Sequence, residues 1–179
     1  MLASLIQTYW ALCLFKRGPQ DTPYSKVFLF SAVLLFLALF VFQLLLVDIK
    51  QLISYSFAIR RAITLTISLF LYTYLLLVLV KYKNRYVQTL TSILMSQVIL
   101  QFIALPLVLL GPYLIGTGTQ QAVVSLVTIF YFLTVVFLNV WQFLINAHIF
   151  KHALGTTFMG GLLTGFGLLA FNFLAFKYF

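Results

Sequence analysis

His148 and His152 are the two histidines of the chain, and they stand four positions apart. On a helix this spacing puts both imidazoles on one face, as a two-histidine metal site requires. A metal or haem site would need further ligands, and no carboxylate or thiol lies near them in the sequence. We favour a basic helix end, in which His148, Lys151 and His152 complement the helix dipole and meet anionic headgroups. The sequence therefore predicts no metal and no cofactor, with His148 and His152 as the only candidate metal ligands.

Amide side chains within apolar segments form a second group of candidate residues. Gln97 and Gln101 are four apart, and Asn139, Gln142 and Asn146 follow the i, i+3, i+7 spacing of one helix face. An amide that faced lipid would leave its hydrogen bonds unmade, so both faces should point into the protein. We favour interhelical hydrogen bonds that fix helix packing. The alternative is a lining for a small polar solute or for water.

Glycines mark a third feature, close to the C-terminus. Gly161-x-x-x-Gly165 is a small-residue motif that lets two helix backbones approach closely. The partner helix could belong to the same chain or to a second copy. We favour a contact within the chain, with the preceding apolar segment as the first candidate.

The composition limits the class of protein that must position these residues. Of 179 residues, 64% are hydrophobic and 7% are charged, against roughly 45–50% and 25% in soluble domains. A soluble core of this size could not bury so much apolar surface. Cys13 has no partner for a disulfide, and two acidic residues, two histidines and one cysteine leave little for acid–base or metal catalysis. These numbers predict an integral membrane protein that is not an enzyme.

Five apolar segments have the length of a membrane-spanning helix, which is about 20 residues. They cover approximately residues 27–47, 62–80, 89–110, 122–147 and 157–176. The first 15 residues are apolar but too short to span, and a turn-forming segment with Gly18, Pro19 and Pro23 follows them. We therefore predict an all-α fold in two parts. Residues 1–26 form a short amphipathic helix, at the membrane interface or tucked against the bundle, with a polar turn, and residues 27–179 form a single bundle of five transmembrane helices.

The basic residues suggest an orientation and exclude one class of partner. The net charge is +9, but the basic residues stand in small groups at the ends of apolar runs. Because they form no continuous basic stripe, we predict no nucleic-acid binding. Lys and Arg number seven on the side of the N-terminus and four on the other side, which predicts a cytoplasmic N-terminus and an external C-terminus. Asp48 is expected to pair with Arg60 or Arg61 near the external interface.

Two sequence segments and the span count suggest a family resemblance. Residues 14–21 read LFKRGPQD, and residues 141–154 read WQFLINAHIFKHAL. Both segments look like those of small bacterial inner-membrane proteins, and the five closely spaced spans resemble the Yip family (Ypt-interacting-type membrane proteins). The resemblance implies a non-catalytic membrane protein that works through partners, without active-site residues. The acidic motif that eukaryotic members carry before the first span is not evident here, which puts a small-GTPase partner in doubt.

The sequence analysis thus leads to three functional hypotheses. The first is a non-enzymatic accessory or scaffold subunit of a membrane complex in the bacterial inner membrane. Its partners would be membrane lipids and either another membrane protein or a second copy of itself. The second is a channel or carrier for a small neutral or anionic solute that uses the polar faces of the third and fourth spans and a helix kink at Pro106. The third, which we favour least, is a lipid-modifying or redox subunit that uses His148 and His152.

Overall fold

The computed structural model describes residues 2–47, 54–116 and 122–178. Within these ranges the chain forms six α-helices and no strand. The helices are α1 (Leu2–Cys13), α2 (Lys26–Val47), α3 (Tyr55–Leu79), α4 (Tyr86–Gly116), α5 (Ala122–Leu154) and α6 (Phe158–Tyr178). Short 3-10 turns at Pro19–Asp21 and Lys83–Arg85 precede α2 and α4. The predicted all-α bundle is confirmed.

Helices α2 to α6 are each long and apolar enough to cross a membrane. The shortest of them, α6, has 21 residues, and at about 1.5 Å per residue it extends about 30 Å, the thickness of the hydrocarbon core. The chain therefore has the architecture of a multi-pass membrane protein with five spans. Residues Asp48 and Lys50, and the end of the uncharged loop up to Thr119, lie outside the described residues.

Three helices extend beyond the predicted spans. Helix α3 begins at Tyr55 instead of residue 62, and the side chain of Ser54 caps it by accepting a hydrogen bond from Phe57 N at 3.2 Å. Helix α4 continues past Gly111 to Gly116, and α5 continues past residue 147 to Leu154. Hydropathy marks only the part of a helix in hydrocarbon, whereas backbone hydrogen bonding continues into the polar interface. The basic and glycine residues that ended the predicted spans therefore lie within helices.

Helix α4 is the centre of the bundle. Every residue from Thr89 to Leu94 is buried, so this part of the helix is covered on all sides. Helices α2 and α5 pack against α4, and α6 packs against α3 and α5. Small polar residues such as Ser92 and Thr91 tolerate this burial because their hydroxyls find partners within the protein. The Thr91 hydroxyl, for example, donates to the Val87 carbonyl at 2.6 Å.

Helix α1 is tucked against the bundle rather than held only by the membrane surface. Tyr9, Leu12 and Cys13 have no exposed surface, and their spacing places them on one face of α1. The helix packs against α4. The indole nitrogen of Trp141 on α5 donates a hydrogen bond to the Cys13 carbonyl at 3.1 Å. Of the two predicted positions for this helix, the described contacts favour the tucked one.

Candidate functional site

A cavity of about 350 Å³ lies between α2, α3, α4 and α5, and its lining combines amide and apolar side chains. The amides of the lining are Gln43, Gln97, Gln101, Asn139 and Gln142. We call this space the amide cavity. Its remaining walls include the aromatic side chains of Phe36 and Phe40. No charged side chain lines it, so its chemistry is that of neutral hydrogen bonding.

One amide of the lining joins two walls of the cavity, and a second is bonded within its own helix. Gln43 Nε2 donates to the backbone carbonyl of Gln101 at 2.7 Å, which joins α2 to α4. Gln142 Nε2 donates to Asn146 Oδ1 at 3.1 Å, one helical turn away on α5. A hydrogen bond between membrane helices contributes on the order of 1 kcal/mol. These contacts are structural, and they use donors that would otherwise face the cavity.

The two glutamines of α4 carry acceptors without a partner. Gln97 Oε1 and Gln101 Oε1 are both buried, and neither accepts a hydrogen bond from the described protein atoms. An unsatisfied buried acceptor costs about 1–3 kcal/mol. The two oxygens belong to side chains that line the amide cavity, but the oxygens themselves have almost no accessible surface. A molecule in the cavity that donates hydrogen bonds would remove that cost after the two amide groups rotate towards it.

The amide cavity lies near the middle of the bundle. Arg85 Nη1 donates to the carbonyl of His152 at 3.1 Å, which places the start of α4 and the end of α5 at the same end of the molecule. Gln97 and Gln142 are each about three helical turns from that end, roughly 16–18 Å along the axis at 1.5 Å per residue. This is about half of a 30 Å hydrocarbon core. The cavity is therefore at a depth where polar side chains are costly unless they are used.

The structure brings together four of the five amides that the sequence singled out. Gln97, Gln101, Asn139 and Gln142 line the cavity, whereas Asn146 is 6% exposed, outside the lining, and bonded to Gln142. Sequence reasoning missed Gln43, which lines the same space. Its signal was available, since a lone glutamine deep in an apolar span should face the protein interior.

The two histidines lie together at the end of α5, with ring centroids 4.5 Å apart. His148 Nε2 is 3.0 Å from the carbonyl oxygen of Arg17. A carbonyl only accepts, so Nε2 carries the hydrogen of this bond. The described residues contain no group of three or more His, Cys, Asp or Glu side chains placed to hold a metal ion. In the described contacts, His148 on α5 holds the segment that follows α1.

Gly161 and Gly165 face α5, which is the helix of the preceding span. A Cβ at Gly161 would overlap the carbonyl oxygen of Ala147, and a Cβ at Gly165 would lie 3.1 Å from the Phe143 ring. The absence of side chains at these two positions thus lets α6 lie directly against the backbone of α5.

Comparison with protein-family models, with curated proteins and with solved structures finds no match for this chain. The resemblance to Yip-type proteins therefore has no support from these comparisons. Functional conclusions must come from the residues and their arrangement.

Proposed function

We propose that this multi-pass membrane protein binds a small uncharged molecule in the amide cavity and conducts or carries it across the membrane. The observation that carries the proposal is the pair of buried, unpartnered oxygens on Gln97 and Gln101. Acceptors without donors favour a molecule that donates hydrogen bonds. A lining without charged side chains favours a neutral one. This is the second of the functions predicted from the sequence.

The size of the amide cavity limits the solute. Its volume of about 350 Å³ corresponds to about twelve water molecules at 30 Å³ each. Urea, glycerol and water all fit within this volume, donate hydrogen bonds and carry no charge. The apolar walls around the amides would exclude ions, because an ion would lose its hydration without gaining a charged partner.

The test is solute flux into proteoliposomes that contain the full chain. Stopped-flow light scattering would follow vesicle volume after osmotic shifts with urea, with glycerol and with an impermeant osmolyte that reports water alone. We expect at least one of the three permeabilities to exceed that of protein-free vesicles. We expect Gln97→Met and Gln101→Met to reduce it, because methionine keeps the side-chain length and removes the acceptor.

Gln7→Met is the matched control, since Gln7 is exposed on α1 and outside the cavity. It should leave flux unchanged. If none of the three probes crosses faster than through bare lipid, the proposal fails for this solute class. It also fails if Gln97→Met and Gln7→Met have equal effects.

The bacterial inner membrane, with the N-terminus in the cytoplasm and the C-terminus outside, remains our proposal for location and orientation. Support comes from the clustering of basic residues at one end. Arg85 contacts the end of α5 beside Lys151, and the Arg17 carbonyl is bonded to His148 at the same end. Lys and Arg concentrate on the cytoplasmic side of membrane proteins. Labelling of cysteines placed singly at Lys83 and Tyr178, in a Cys13→Ala background, would test both sides in intact cells.

An accessory or scaffold role in a membrane complex, without enzymatic activity, is the second candidate. It is favoured by the first half of α5, where no residue from 126 to 140 is buried. This stretch exposes large apolar side chains such as Phe130 and Leu133, which a helix of another subunit or a second copy could cover. Affinity purification in mild detergent at native expression level tests it. A stoichiometric membrane partner that Phe130→Ser releases would support this role, and purification of the chain alone would contradict it.

A further inference from the structure

One face of α3 forms a continuous stripe from the membrane boundary towards the bundle centre. Its residues follow the i, i+3, i+4, i+7 spacing of a single helix face. They are Arg60, Arg61, Thr64, Ile67, Ser68 and Leu71. The stripe changes from two arginines at one end to uncharged side chains along the rest, which are apolar except for the hydroxyl residues Thr64 and Ser68. This order, with charged side chains first and mainly apolar ones after them, matches the change from headgroup to acyl chain along a lipid.

Two cavities follow this stripe and meet at Thr64, which lines both. The first measures about 180 Å³ and is bounded by Phe57, Arg60, Arg61 and Thr64. The second measures about 320 Å³ and lies between α3 and α6. Its wall on α6 consists of Phe171, Leu174 and Ala175. Together they form one groove with a basic end, which we call the α3–α6 groove.

Two aromatic rings orient Arg61 at the basic end. The guanidinium of Arg61 lies 5.0 Å from the centroid of Phe57 and 4.9 Å from that of Phe176. Stacking on two rings restricts its orientation without using its hydrogen-bond donors. Arg60 is exposed beside it. A planar guanidinium held in this way is suited to bidentate contact with a phosphate group.

The described residues offer these arginines no carboxylate. Asp21 is the one acidic residue among them, and its Oδ2 accepts from Gly18 N at 2.9 Å in the turn after α1. The turn with Asp21 lies near the end of α5, because the Arg17 carbonyl is bonded to His148. The loop after α3 contacts the same end, since Tyr82 lies beside Gly155. The start of α3 is therefore at the opposite end from this turn. The predicted pairing with Asp48 falls outside the described residues.

In the apolar part of the α3–α6 groove, the hydroxyl of Ser68 already has a hydrogen-bond partner within the protein. The hydroxyl of Ser68 donates to Asn172 Oδ1 at 2.6 Å. From Arg61 to Leu71 the groove extends roughly 15 Å along the helix axis. This length equals about half of a 30 Å hydrocarbon core, the depth of one leaflet. An acyl chain that starts at the arginines would fill the groove without crossing the bilayer midplane.

We propose that the α3–α6 groove is a binding site for an anionic phospholipid. The phosphate contacts Arg60 and Arg61, and one acyl chain lies between α3 and α6 along Ile67, Leu71 and Leu174. Charge complementarity at the basic end and the apolar walls of the rest select this occupant. The site is separate from the amide cavity, whose lining shares none of these residues.

Native mass spectrometry of the full chain in a non-ionic detergent tests the site. Phosphatidylglycerol and phosphatidylcholine with identical acyl chains are titrated in turn, and the dissociation constant of the first bound lipid is measured. The wild type should prefer phosphatidylglycerol. The double variant Arg60→Gln/Arg61→Gln should weaken phosphatidylglycerol binding by at least about tenfold, because it removes both guanidinium groups that contact the phosphate. Ala175→Phe fills the groove and should weaken both lipids.

Two further variants separate a specific site from general charge and from misfolding. Lys81→Gln/Lys83→Gln removes two positive charges at the opposite end and should leave the affinity unchanged. Arg60→Lys/Arg61→Lys keeps the charge and should retain more binding than the glutamine pair. The proposal is overturned if Arg60→Gln/Arg61→Gln has no greater effect than Lys81→Gln/Lys83→Gln. It is also overturned if millimolar inorganic phosphate displaces phosphatidylglycerol, because the groove would then be a free-anion site.

Discussion

The indole Nε1 of Trp141 donates a hydrogen bond to the backbone carbonyl of Cys13 at 3.1 Å, and the two residues are 128 positions apart. Cys13 is the last residue of α1, and the last carbonyls of a helix have no partner within it. A side chain of α5 thus satisfies the end of α1. Trp10 reinforces the contact with its ring edge-on to Trp141 at 6.5 Å. The N-terminal helix is in this way a part of the bundle rather than an appendage.

Replacement of Trp141 by Phe should loosen α1. The variant keeps an aromatic ring but loses the hydrogen bond, which contributes about 0.5–1.5 kcal/mol. Cys13 is the only cysteine of the chain and is fully buried, so its rate of maleimide labelling reports the undocking of α1. We expect labelling to rise about two- to tenfold. Trp10→Phe, which removes no hydrogen bond from the described structure, should change the rate less.

Substitutions at the two glycines of α6 should differ in severity. Gly161→Ala would force a methyl group into the Ala147 carbonyl, and because backbone cannot move aside, we expect a loss of about 1–3 kcal/mol. Gly165→Ala meets only the edge of the Phe143 ring at 3.1 Å. There the better helix propensity of alanine, about 1 kcal/mol, offsets a small ring shift. Thermal unfolding in detergent measures both, and equal losses would contradict the α5–α6 contact described above.

The stability of the protein should fall in alkaline solution because two buried groups of α1, Cys13 and Tyr9, resist the loss of their protons in the folded state. Burial raises the pKa of the Cys13 thiol from its ordinary 9.0 to about 12, and burial also raises the pKa of Tyr9 from 10.0 to about 12. Both groups therefore lose their protons more readily in the unfolded chain. Their contribution to stability is complete below pH 9 and is lost as the pH rises towards 12. Melting temperatures between pH 7 and 10.5 should decline less steeply in Cys13→Ala/Tyr9→Phe than in the wild type.

Two glutamines of the amide cavity should respond oppositely to the same substitution. Gln43→Met removes the 2.7 Å hydrogen bond to the Gln101 carbonyl and should lower the melting temperature. Gln97→Met removes a buried acceptor that has no partner and should raise it, since an unsatisfied acceptor is destabilising by about 1–3 kcal/mol. Both are measured without urea or glycerol. A decrease in both variants would indicate that Gln97 Oε1 is already satisfied, as it would be by water in the cavity.

Replacement of His148 should lower the stability of the protein more than replacement of His152. His148→Ala breaks the 3.0 Å contact with the Arg17 carbonyl and should both lower the melting temperature and speed labelling of Cys13. No hydrogen bond of the His152 ring holds this segment among the described contacts, so His152→Ala should have a smaller effect. Added Zn²⁺ should not stabilise the wild type, because the described residues supply no third ligand. A clear Zn²⁺-dependent rise in melting temperature, lost in either variant, would restore the metal-site hypothesis.

The hydropathy of the sequence was sufficient to predict the helical class, the five spans and the central position of most of the amides. Gln97, Gln101 and Gln142 could be identified because an amide in hydrocarbon must face inward, which is a rule about single helices and lipid. Asn139 is instead exposed at the edge of the cavity, and its Nδ2 donates to the Val135 carbonyl of its own helix at 2.8 Å. The start of α3 was placed too late, and the ends of α4 and α5 were placed too early. Charged and glycine residues mark the edge of the apolar region, but helical hydrogen bonding does not stop there.

Only the tertiary structure decided which inward faces meet. Gln43 shares one cavity with the amides of α4 and α5 because α2 packs on α4, whereas Asn146 is buried outside the lining. The same holds for the α3–α6 groove, since Arg61 lies between Phe57 and Phe176 only after α6 has docked. Periodicity determines the face on which a side chain lies along its own helix. The neighbour of that face depends on packing between segments that are distant in the sequence, and local patterns do not contain that information.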